Sequence, residues 1–265
     1  TGVAGTAFNA KVVPVRVLGK CGGYTSDIAD AIVWASGGTV SGVPANANPA
    51  EVINMSLGGS GSCSTTYQNA INGAVGRGTT VVVAAGNSNT NVSSSVPANC
   101  PNVIAVAATT SAGARASFSN YGTGIDISAP GQGILSTLNT GTTTPGSASY
   151  ASYNGTSMAA PHVAGVVALM QSVAPSPLSP AQVESIIKST ARPLPGSCSG
   201  GCGAGIIDAN AAVSAAINGG GTPNPGGNVL QNNVPVTGLS ASSGSSLSYT
   251  VNVPAGSSQL RVAIS

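Results

Sequence analysis

The sequence predicts an α/β fold in which a doubly wound parallel sheet is flanked by helices. Short apolar runs alternate along the chain with segments of helical periodicity, the order that places helices on both faces of a parallel sheet. The 265 residues are 42% hydrophobic and only 5% charged. A chain of this length can bury roughly 70–75% of its unfolded surface, so we expect a substantial core.

The amino-terminal part is predicted to contain one strand followed by one helix. The run at 11–18 is rich in valine, and β-branched residues of this kind favour a strand. Thr25 and Ser26 are expected to cap the next helix, which we expect to extend to Trp34.

Three further strands and a second helix follow from the same patterns. Strands are predicted at 52–57, 80–85 and 103–107. Between the first two, apolar residues recur at three- and four-residue spacing before Gly78, which indicates an amphipathic helix. This apolar stripe consists of Tyr67, Ala70, Ile71, Ala74 and Val75.

The following region is predicted to add two short strands and two helices. The strands are expected at 125–128 and 134–138. The segment 157–174 is apolar nearly all round, so we expect a buried helix there. Another helix should begin after Ser179, because a proline follows it and Gln182 completes a capping-box pattern.

The composition changes near residue 219, and we predict three parts on that basis. A large domain at 1–218 is followed by a glycine- and proline-rich linker at 219–228. The remainder, 229–265, is predicted to be the start of a β-sandwich-type domain that is cut short. Within it, period-two alternation at 247–253 and 260–264 predicts antiparallel strands.

Charge and apolar patterns exclude several classes of function. The net charge is +2 without any cluster of lysine and arginine, so nucleic-acid binding is not expected. The apolar stretch from Met158 to Met170 is interrupted by Pro161 and His162 and is too short to cross a membrane. No Cys-x-x-Cys pair occurs and the asparagine-rich loop at 87–91 has no carboxylate, so we expect no metal and no cofactor.

A glycine turn brings Ser157 to the start of the predicted buried helix. Unpaired N–H groups at such a helix end stabilise negative charge, which suits a serine nucleophile whose attack creates an oxyanion. The same position equally suits a serine that only caps the helix. The local pattern leaves both interpretations open.

His162 is the only histidine of the chain, but it is not placed to act as the base for Ser157. Five helical residues rotate about 140° and rise about 7.5 Å, which separates the two side chains. We therefore interpret His162 as packing beside the helix and expect the base to lie outside this chain. In α/β-hydrolases the histidine follows the serine, whereas in the subtilisin order acid and histidine both precede it, which this sequence fits.

Four segments resemble the subtilisin-like serine peptidases (subtilases), in the order in which that family has them. The longest is Gly-Thr-Ser-Met-Ala-Ala-Pro-His-Val-Ala-Gly at 155–165, which resembles the family's nucleophile motif. The others are Asn-Met-Ser-Leu-Gly-Gly at 54–59, Val-Ala-Ala-Gly-Asn at 83–87 and Ser-Ala-Pro-Gly at 128–131. The resemblance spans residues 1 to about 217.

Both ends of the chain carry further resemblances. Residues 1–14 resemble the part of the family just downstream of its histidine motif. The segments that carry the catalytic aspartate and histidine are therefore expected to be missing. Residues 229–265 resemble the opening of a bacterial prepeptidase carboxy-terminal domain.

The resemblance implies a serine endopeptidase that forms an acyl-enzyme on Ser157. The side-chain amide of Asn87 and the backbone N–H of Ser157 would form the oxyanion hole. A peptide substrate would lie extended between two backbone edges, beside a wall of small residues. The edges would be Ser56, Leu57 and Gly58 on one side and Gly22 and Gly23 on the other, the wall would be Ala84, Ala85 and Gly86, and Thr156 would complete the substrate-binding set.

The resemblance also implies a secreted monomer whose partners are peptide or protein substrates, with no nucleic acid and no membrane. Two other functions stay open. One is a catalytically inactive subtilase scaffold that binds extended peptides; the other is an esterase of the α/β-hydrolase class. An Asp-Thr-Gly-like and a His-Gly-Thr-His-like motif upstream would support the enzyme, absence of both would support the scaffold, and the esterase needs a histidine after Ser157.

Five cysteines allow about 15 arrangements of two bridges and one free thiol. Cys198 and Cys202 are separated by three small residues, flexible enough for a bridge. Cys63 and Cys100 lie in loops just outside predicted sheet elements, where both can reach one surface. We predict these two bridges, which suit an oxidising compartment, and leave Cys21 for a partner outside the chain.

None of the aspartates fits a catalytic role. Asp27, Asp30 and Asp208 are interpreted as helix-start residues, which their charge favours. Asp126 lies on a short predicted strand outside the family's acid motif.

Overall fold

The computed structural model describes residues 3–217 and two short strands at 228–230 and 249–251. The chain divides into two compact units, Thr1–Gly221 and Thr222–Ser265. The strands of the first unit are β1 (Val52–Met55), β2 (Gly59–Ser60), β3 (Thr80–Ala84), β4 (Ser95–Val96), β5 (Ile104–Thr109), β6 (Ile127–Pro130), β7 (Ile134–Asn139) and β8 (Ala148–Tyr153). Its helices are α1 (Thr25–Ala35), α2 (Thr65–Gly76), α3 (Thr156–Val173), α4 (Pro180–Ser189) and α5 (Ala209–Ile217).

Four parallel strands form the central sheet in the order β1-β3-β5-β6. Val83 of β3 lies opposite Met55 of β1 and Ala105 of β5. Every residue of β3 and β5 is buried, as expected of strands covered on both faces. The predicted parallel α/β sheet is confirmed.

Alternate residues of the sheet face two separate cores. Val82 belongs to a cluster that includes Val163 of α3 and Ile186 of α4. Its neighbour Val83 belongs to a second cluster, which includes Ile71 of α2. Helices α3, α4 and α5 therefore cover one face, while α1 and α2 cover the other.

The capping residues predicted from the sequence agree with the structure for α4 and α5 but not for α1. The capping box of α4 is confirmed, since the Ser179 hydroxyl accepts from the backbone N–H of Gln182 and the Gln182 side chain accepts from the N–H of Ser179. Asp208 likewise accepts from the N–H of Ala211 at the start of α5. The predicted helix α1 is confirmed, but its predicted caps, Thr25 and Ser26, are wrong: the helix already includes Thr25, and Tyr24 precedes it with extended backbone and no capping side chain.

The segment 11–18 forms no strand among the described residues, although its valines predict one. Val12 is 84% exposed, and the segment ends in an isolated bridge between Gly19 and Gly22. A cavity of about 1420 Å³ is lined by this segment together with β1 and α3. The segment therefore lacks the ladder partner that a strand requires, and β-propensity alone does not replace one.

The second unit contains one described pair of strands, β9 (Asn228–Leu230) and β10 (Tyr249–Val251), which run parallel. The prediction of antiparallel strands around 247–253 was wrong in direction. Period-two alternation reports which faces side chains occupy, and a parallel pair needs only a connection of about a dozen residues or more. The strand predicted at 260–264 lies outside the described residues.

Both predicted disulfides are confirmed. Cys63 is bonded to Cys100, with 5.1 Å between their Cα atoms, and Cys198 to Cys202, with 6.3 Å. Cys21 is an exposed free thiol.

Candidate active site

Ser157 is the second residue of α3, at the carboxyl-terminal edge of the parallel sheet. Gly155, the residue just before α3, has φ 158° and ψ 156°, a backbone conformation that is essentially restricted to glycine. The N–H groups of Thr156 and Met158 have partners, namely the Asn87 side chain and the Gly155 carbonyl. Among the residues that the structure describes, the N–H of Ser157 has no such partner.

Asn87 lies in the loop after β3 and reaches the start of α3. Its Oδ1 accepts from the Thr156 backbone N–H at 2.8 Å and from the Thr156 hydroxyl at 3.0 Å. Because a backbone N–H can only donate, these contacts identify which amide atom is the oxygen. The Nδ2 of Asn87 then lies on the side of Gly155 and donates no hydrogen bond within the described part of the chain. Asn87 is thus a fixed amide with a free donor.

Thr156 supports this arrangement from behind. It is fully buried, and its hydroxyl also accepts from the N–H of Gly86 at 3.0 Å. Its hydroxyl and its backbone N–H are both used to hold Asn87 and Gly86, and the predicted contact of Thr156 with the substrate stays a prediction.

Ser56 joins the end of β1 to the serine. The Ser157 hydroxyl lies 3.4 Å from the Ser56 carbonyl oxygen, and the Ser56 hydroxyl donates to the Ser157 carbonyl at 2.8 Å. That carbonyl lacks a helical partner, because Pro161 stands four residues later and has no N–H. The Ser56 hydroxyl therefore satisfies an acceptor that the helix itself leaves open.

The predicted substrate edge continues from Ser56 to Gly58. The backbone groups of Leu57 and Gly58 form no hydrogen bond with any described residue, and Gly58 is exposed. A Cβ on Gly58 would approach the Val96 carbonyl oxygen to 3.1 Å. This edge is free to pair with an extended chain, and β4 lies beside it.

The predicted wall of small residues has the opposite character, because its backbone is already bonded. The N–H of Ala85 donates to Val106, and the Gly86 carbonyl accepts from the N–H of Asn120. Ala84 is 6% exposed and Ala85 not at all. The backbone of this segment is therefore fixed, and the Ala85 side chain belongs to the core beneath it. Contact of these residues with a substrate stays a prediction.

Gly22 and Gly23 stand apart from this assembly in the described residues. Gly22 closes a tight turn in which Gly19 and Gly22 exchange backbone hydrogen bonds of 2.8 and 3.3 Å. No hydrogen bond joins Gly22 or Gly23 to the Ser56–Gly58 edge. Hydrogen bonds thus link Ser56 to Ser157, and Asn87 and Gly86 to Thr156, whereas none links Gly22 or Gly23 to these residues.

His162 uses its Nδ1 within its own helix, at 2.8 Å from the Met158 carbonyl oxygen. This contact agrees with the interpretation that it is not the base for Ser157.

The other ionisable groups give no sign of a metal site. Asp126 and Asp208 each form an ion pair, Asp126 with Lys188 and Asp208 with Arg192. Over the described ranges no group of three histidine, cysteine, aspartate or glutamate side chains is placed to hold a metal ion. None of the described helices is long and apolar enough to cross a membrane.

Two known proteins with similar sequences are named as extracellular proteases. An extracellular protease from Xanthomonas campestris pv. campestris is 78% identical over 261 residues, which cover 98% of this chain and 45% of that protein. An extracellular basic protease from Dichelobacter nodosus is 51% identical over 82% of this chain and 36% of that protein. The chain thus spans less than half the length of these curated relatives.

Solved structures with the same fold include proteases from Pseudoalteromonas arctica, with a TM-score of 0.79 and 61% identity over 81% of this chain and 66% of that one. A cold-adapted subtilisin-like serine proteinase has a TM-score of 0.61 and 36% identity over 75% of this chain and 67% of that one. The family model described as the subtilase family, peptidase family S8, matches residues 1–246. With this match, and with Ser157 and Asn87 joined through Thr156 at the sheet edge, the chain belongs to the subtilase family.

Proposed function

We propose that the protein containing this chain is a secreted serine endopeptidase with Ser157 as its nucleophile. The observation that carries the proposal is a pair of free donors beside Ser157: its own N–H and the Nδ2 of Asn87, whose Oδ1 is fixed by Thr156. Fixed donors of this kind stabilise the oxyanion that forms when a serine attacks a peptide carbonyl. A serine that served only as a cap would not need the second donor.

The reaction conserves all atoms through an acyl-enzyme. The Ser157 oxygen bonds to the peptide carbonyl carbon while its proton passes to a general base, and the carbonyl oxygen becomes the oxyanion. The C–N bond then breaks as the leaving amine takes the proton. Water hydrolyses the ester and restores the Ser157 hydroxyl. The general base and its orienting acid are proposed to come from outside this chain, because His162, its only histidine, is bonded to Met158.

Substrates are proposed to be peptides or proteins bound in extended form. The unpaired backbone of Leu57 and Gly58 suits strand addition, with a substrate side chain between this edge and the bonded surface at Gly86. Gly22 and Gly23 remain the proposed opposing edge. Secretion is supported by the extracellular relatives and by two disulfides, which persist in oxidising compartments. The protein is proposed to act as a monomer.

The second unit is proposed to begin a separate β-sandwich-type domain. The division at Thr222 falls within the predicted linker, and the β9–β10 pair lies beyond it. The family match to residue 246, however, extends past that linker. The proposed boundary is therefore one between compact units, not the end of similarity to the family.

The experiment is a peptidase assay on the complete gene product that contains this chain. Ser157→Ala is expected to lower kcat by about 10⁶-fold, the loss found for the serine of a subtilisin. Ser172→Ala is the matched control, since Ser172 is an exposed serine of the same helix that bonds only Leu169. Equal activity of the two variants would overturn the proposal.

A second candidate is a peptide-binding scaffold without catalysis, favoured by the engagement of His162 within α3. The sequence upstream of Thr1 discriminates between the two. Aspartate and histidine motifs of the family there support the enzyme, and their absence from a complete reading frame supports the scaffold. The esterase alternative is not retained, because the chain belongs to the subtilases.

A further inference from the structure

Asn120 is a buried amide in the loop between β5 and β6, and its side chain is hydrogen-bonded to the loop after β3 and to strand β4. It is 1% exposed. Its Nδ2 donates to the Ala85 carbonyl at 2.9 Å and to the Ser95 hydroxyl at 2.8 Å. Its Oδ1 accepts from the backbone N–H of Ser88 at 3.0 Å and of Thr90 at 3.1 Å. Both donors and both acceptor positions of this amide are therefore used.

These partners bracket Asn87. Ala85 precedes the Gly86–Asn87 pair and Ser88 follows it, so one side chain bonds the backbone on either side of the proposed oxyanion donor. The backbone N–H of Asn120 adds a bond to the Gly86 carbonyl at 2.9 Å. The loop that presents Asn87 is thus held by Asn120 from one side, while Thr156 holds the Asn87 side chain from the other.

The loop and Asn120 approach so closely at residue 86 that no side chain fits between them. Gly86 has φ 104°, and a Cβ there would overlap the Nδ2 of Asn120. A buried amide without its partners is costly, so Asn120 and the loop favour one another's observed positions.

We propose that Asn120 is a positioning residue for the oxyanion hole, which holds the Ala85–Ser88 loop so that the Nδ2 of Asn87 stays directed at the developing negative charge. This inference rests on the proposed peptidase function. It assigns to Asn120 an effect on the chemical step rather than on substrate affinity. A displacement of about 1 Å at a reacting centre can cost about 10²-fold in rate, which sets the scale of the effect.

The test measures kcat and KM separately on the complete gene product. Asn120→Ala is expected to lower kcat by about 10- to 100-fold and to change KM by less than about 3-fold. Because Asn120 acts through Asn87, the same substitution in an Asn87→Ala background is expected to lower kcat by less than about 3-fold. Asn120→Asp keeps the shape of the side chain and both accepting contacts but removes the donors. If the alanine variant does not fold, kcat and KM are measured on this variant instead.

Asn46→Ala is the matched control. Asn46 lies in the loop that follows α1. Its side chain also donates to two backbone carbonyls, those of Trp34 and Ala35 at the end of that helix, and accepts from the N–H of Asn48. Its loss is expected to leave kcat unchanged. An unchanged kcat for the Asn120 variants, or an equal loss with and without Asn87, would overturn the positioning role alone. If Ser157→Ala and Asn87→Ala leave kcat unchanged, the proposed function fails and the inference fails with it.

Discussion

At the scale of single residues, Pro161 explains why a serine from another element is bonded to the nucleophile. Proline at the sixth position of α3 leaves the Ser157 carbonyl without a helical donor. The Ser56 hydroxyl supplies that donor at 2.8 Å, and the Asn54 side chain in turn donates to Ser56 at 3.0 Å. The end of the edge strand β1 is thereby fixed to the first turn of α3, where the proposed chemistry takes place.

Gly86→Ala is expected to destabilise the fold by about 1–3 kcal/mol, the usual cost of a strained backbone conformation, with the displacement of Asn120 in addition. The reason is the φ of 104° and the overlap of a new Cβ with the Asn120 amide. The measurement is the free energy of unfolding in urea. Gly76→Ala is the control, because a Cβ there has open space within α2, and it is expected to be neutral or slightly stabilising. Equal stability of the two variants would contradict the prediction.

The residues proposed to carry the catalytic chemistry lie in motifs that the sequence reveals, whereas the residues that hold them in place do not. Ser157 and Asn87 lie in contiguous motifs, each read within a few residues of the chain. Asn120 contacts Ala85, Ser88 and Ser95, which lie 35, 32 and 25 residues away. No local pattern reports such contacts, because only the tertiary fold brings these loops together. The burial of an asparagine side chain is what singles out Asn120, and burial at that position is known only from the tertiary structure.

At the scale of elements, α4 is anchored to the sheet by one lysine. Lys188 donates to Asp126 next to β6 at 2.9 Å and to Glu184 on its own helix at 3.1 Å. Partial burial lowers the pKa of Lys188, but the hydrogen bonds and charges of the two carboxylates outweigh burial and raise the pKa above its ordinary value of 10.5. Asp126 also accepts from the N–H of Ala105, so the pair connects β5, β6 and α4.

This ion pair predicts an alkaline loss of stability. Because the folded-state pKa of Lys188 is raised, its contribution is fully present below about pH 10.5 and is lost as the pH rises through the folded-state pKa. Wild type is therefore expected to be more stable than Lys188→Gln near pH 8 and to lose that advantage at strongly alkaline pH. The measurement is the difference in the free energy of unfolding in urea between wild type and Lys188→Gln, near pH 8 and at strongly alkaline pH. Lys20→Gln is the control for an exposed lysine without a recorded ion pair; a constant wild-type advantage at Lys188 would contradict the prediction.

Elements were predictable where the signal is local to the element. The capping residues of α4 and the apolar runs of β3 and β5 fixed those elements to within a residue or two, because burial on both faces dictates their composition. Segment 11–18 has an equally strong composition but no neighbouring strand, so its pattern overestimates what the described fold forms there. The direction of β9 and β10 was likewise outside the reach of alternation, which reports faces and not partners.

At the scale of the whole molecule, the first unit holds the proposed oxyanion donors and the proposed nucleophile in a disulfide-bonded frame. The Cys63–Cys100 bridge encloses α2, β3 and the Asn87 loop in one covalent loop. In the chain-entropy description a loop of this size contributes about 3–4 kcal/mol. The proposed site is thus built on rigid elements, and in the described part of the chain no titratable side chain is hydrogen-bonded to the Ser157 hydroxyl.

The 265-residue chain by itself is therefore expected to have little or no peptidase activity. The recorded neighbour of the Ser157 hydroxyl is the Ser56 carbonyl oxygen at 3.4 Å, which can accept a hydrogen bond but cannot remove the proton. A serine at its ordinary pKa is a poor nucleophile, so the oxyanion donors alone are expected to give about 10³–10⁴ over the rate in water, as in a subtilisin without its triad. The measurement is hydrolysis of a chromogenic peptide by the purified chain, by its Ser157→Ala variant and by the complete gene product. Turnover by the chain near that of the complete protein, abolished by Ser157→Ala, would show that a base is present within these residues and would place it on an element other than α3, since His162 bonds its own helix.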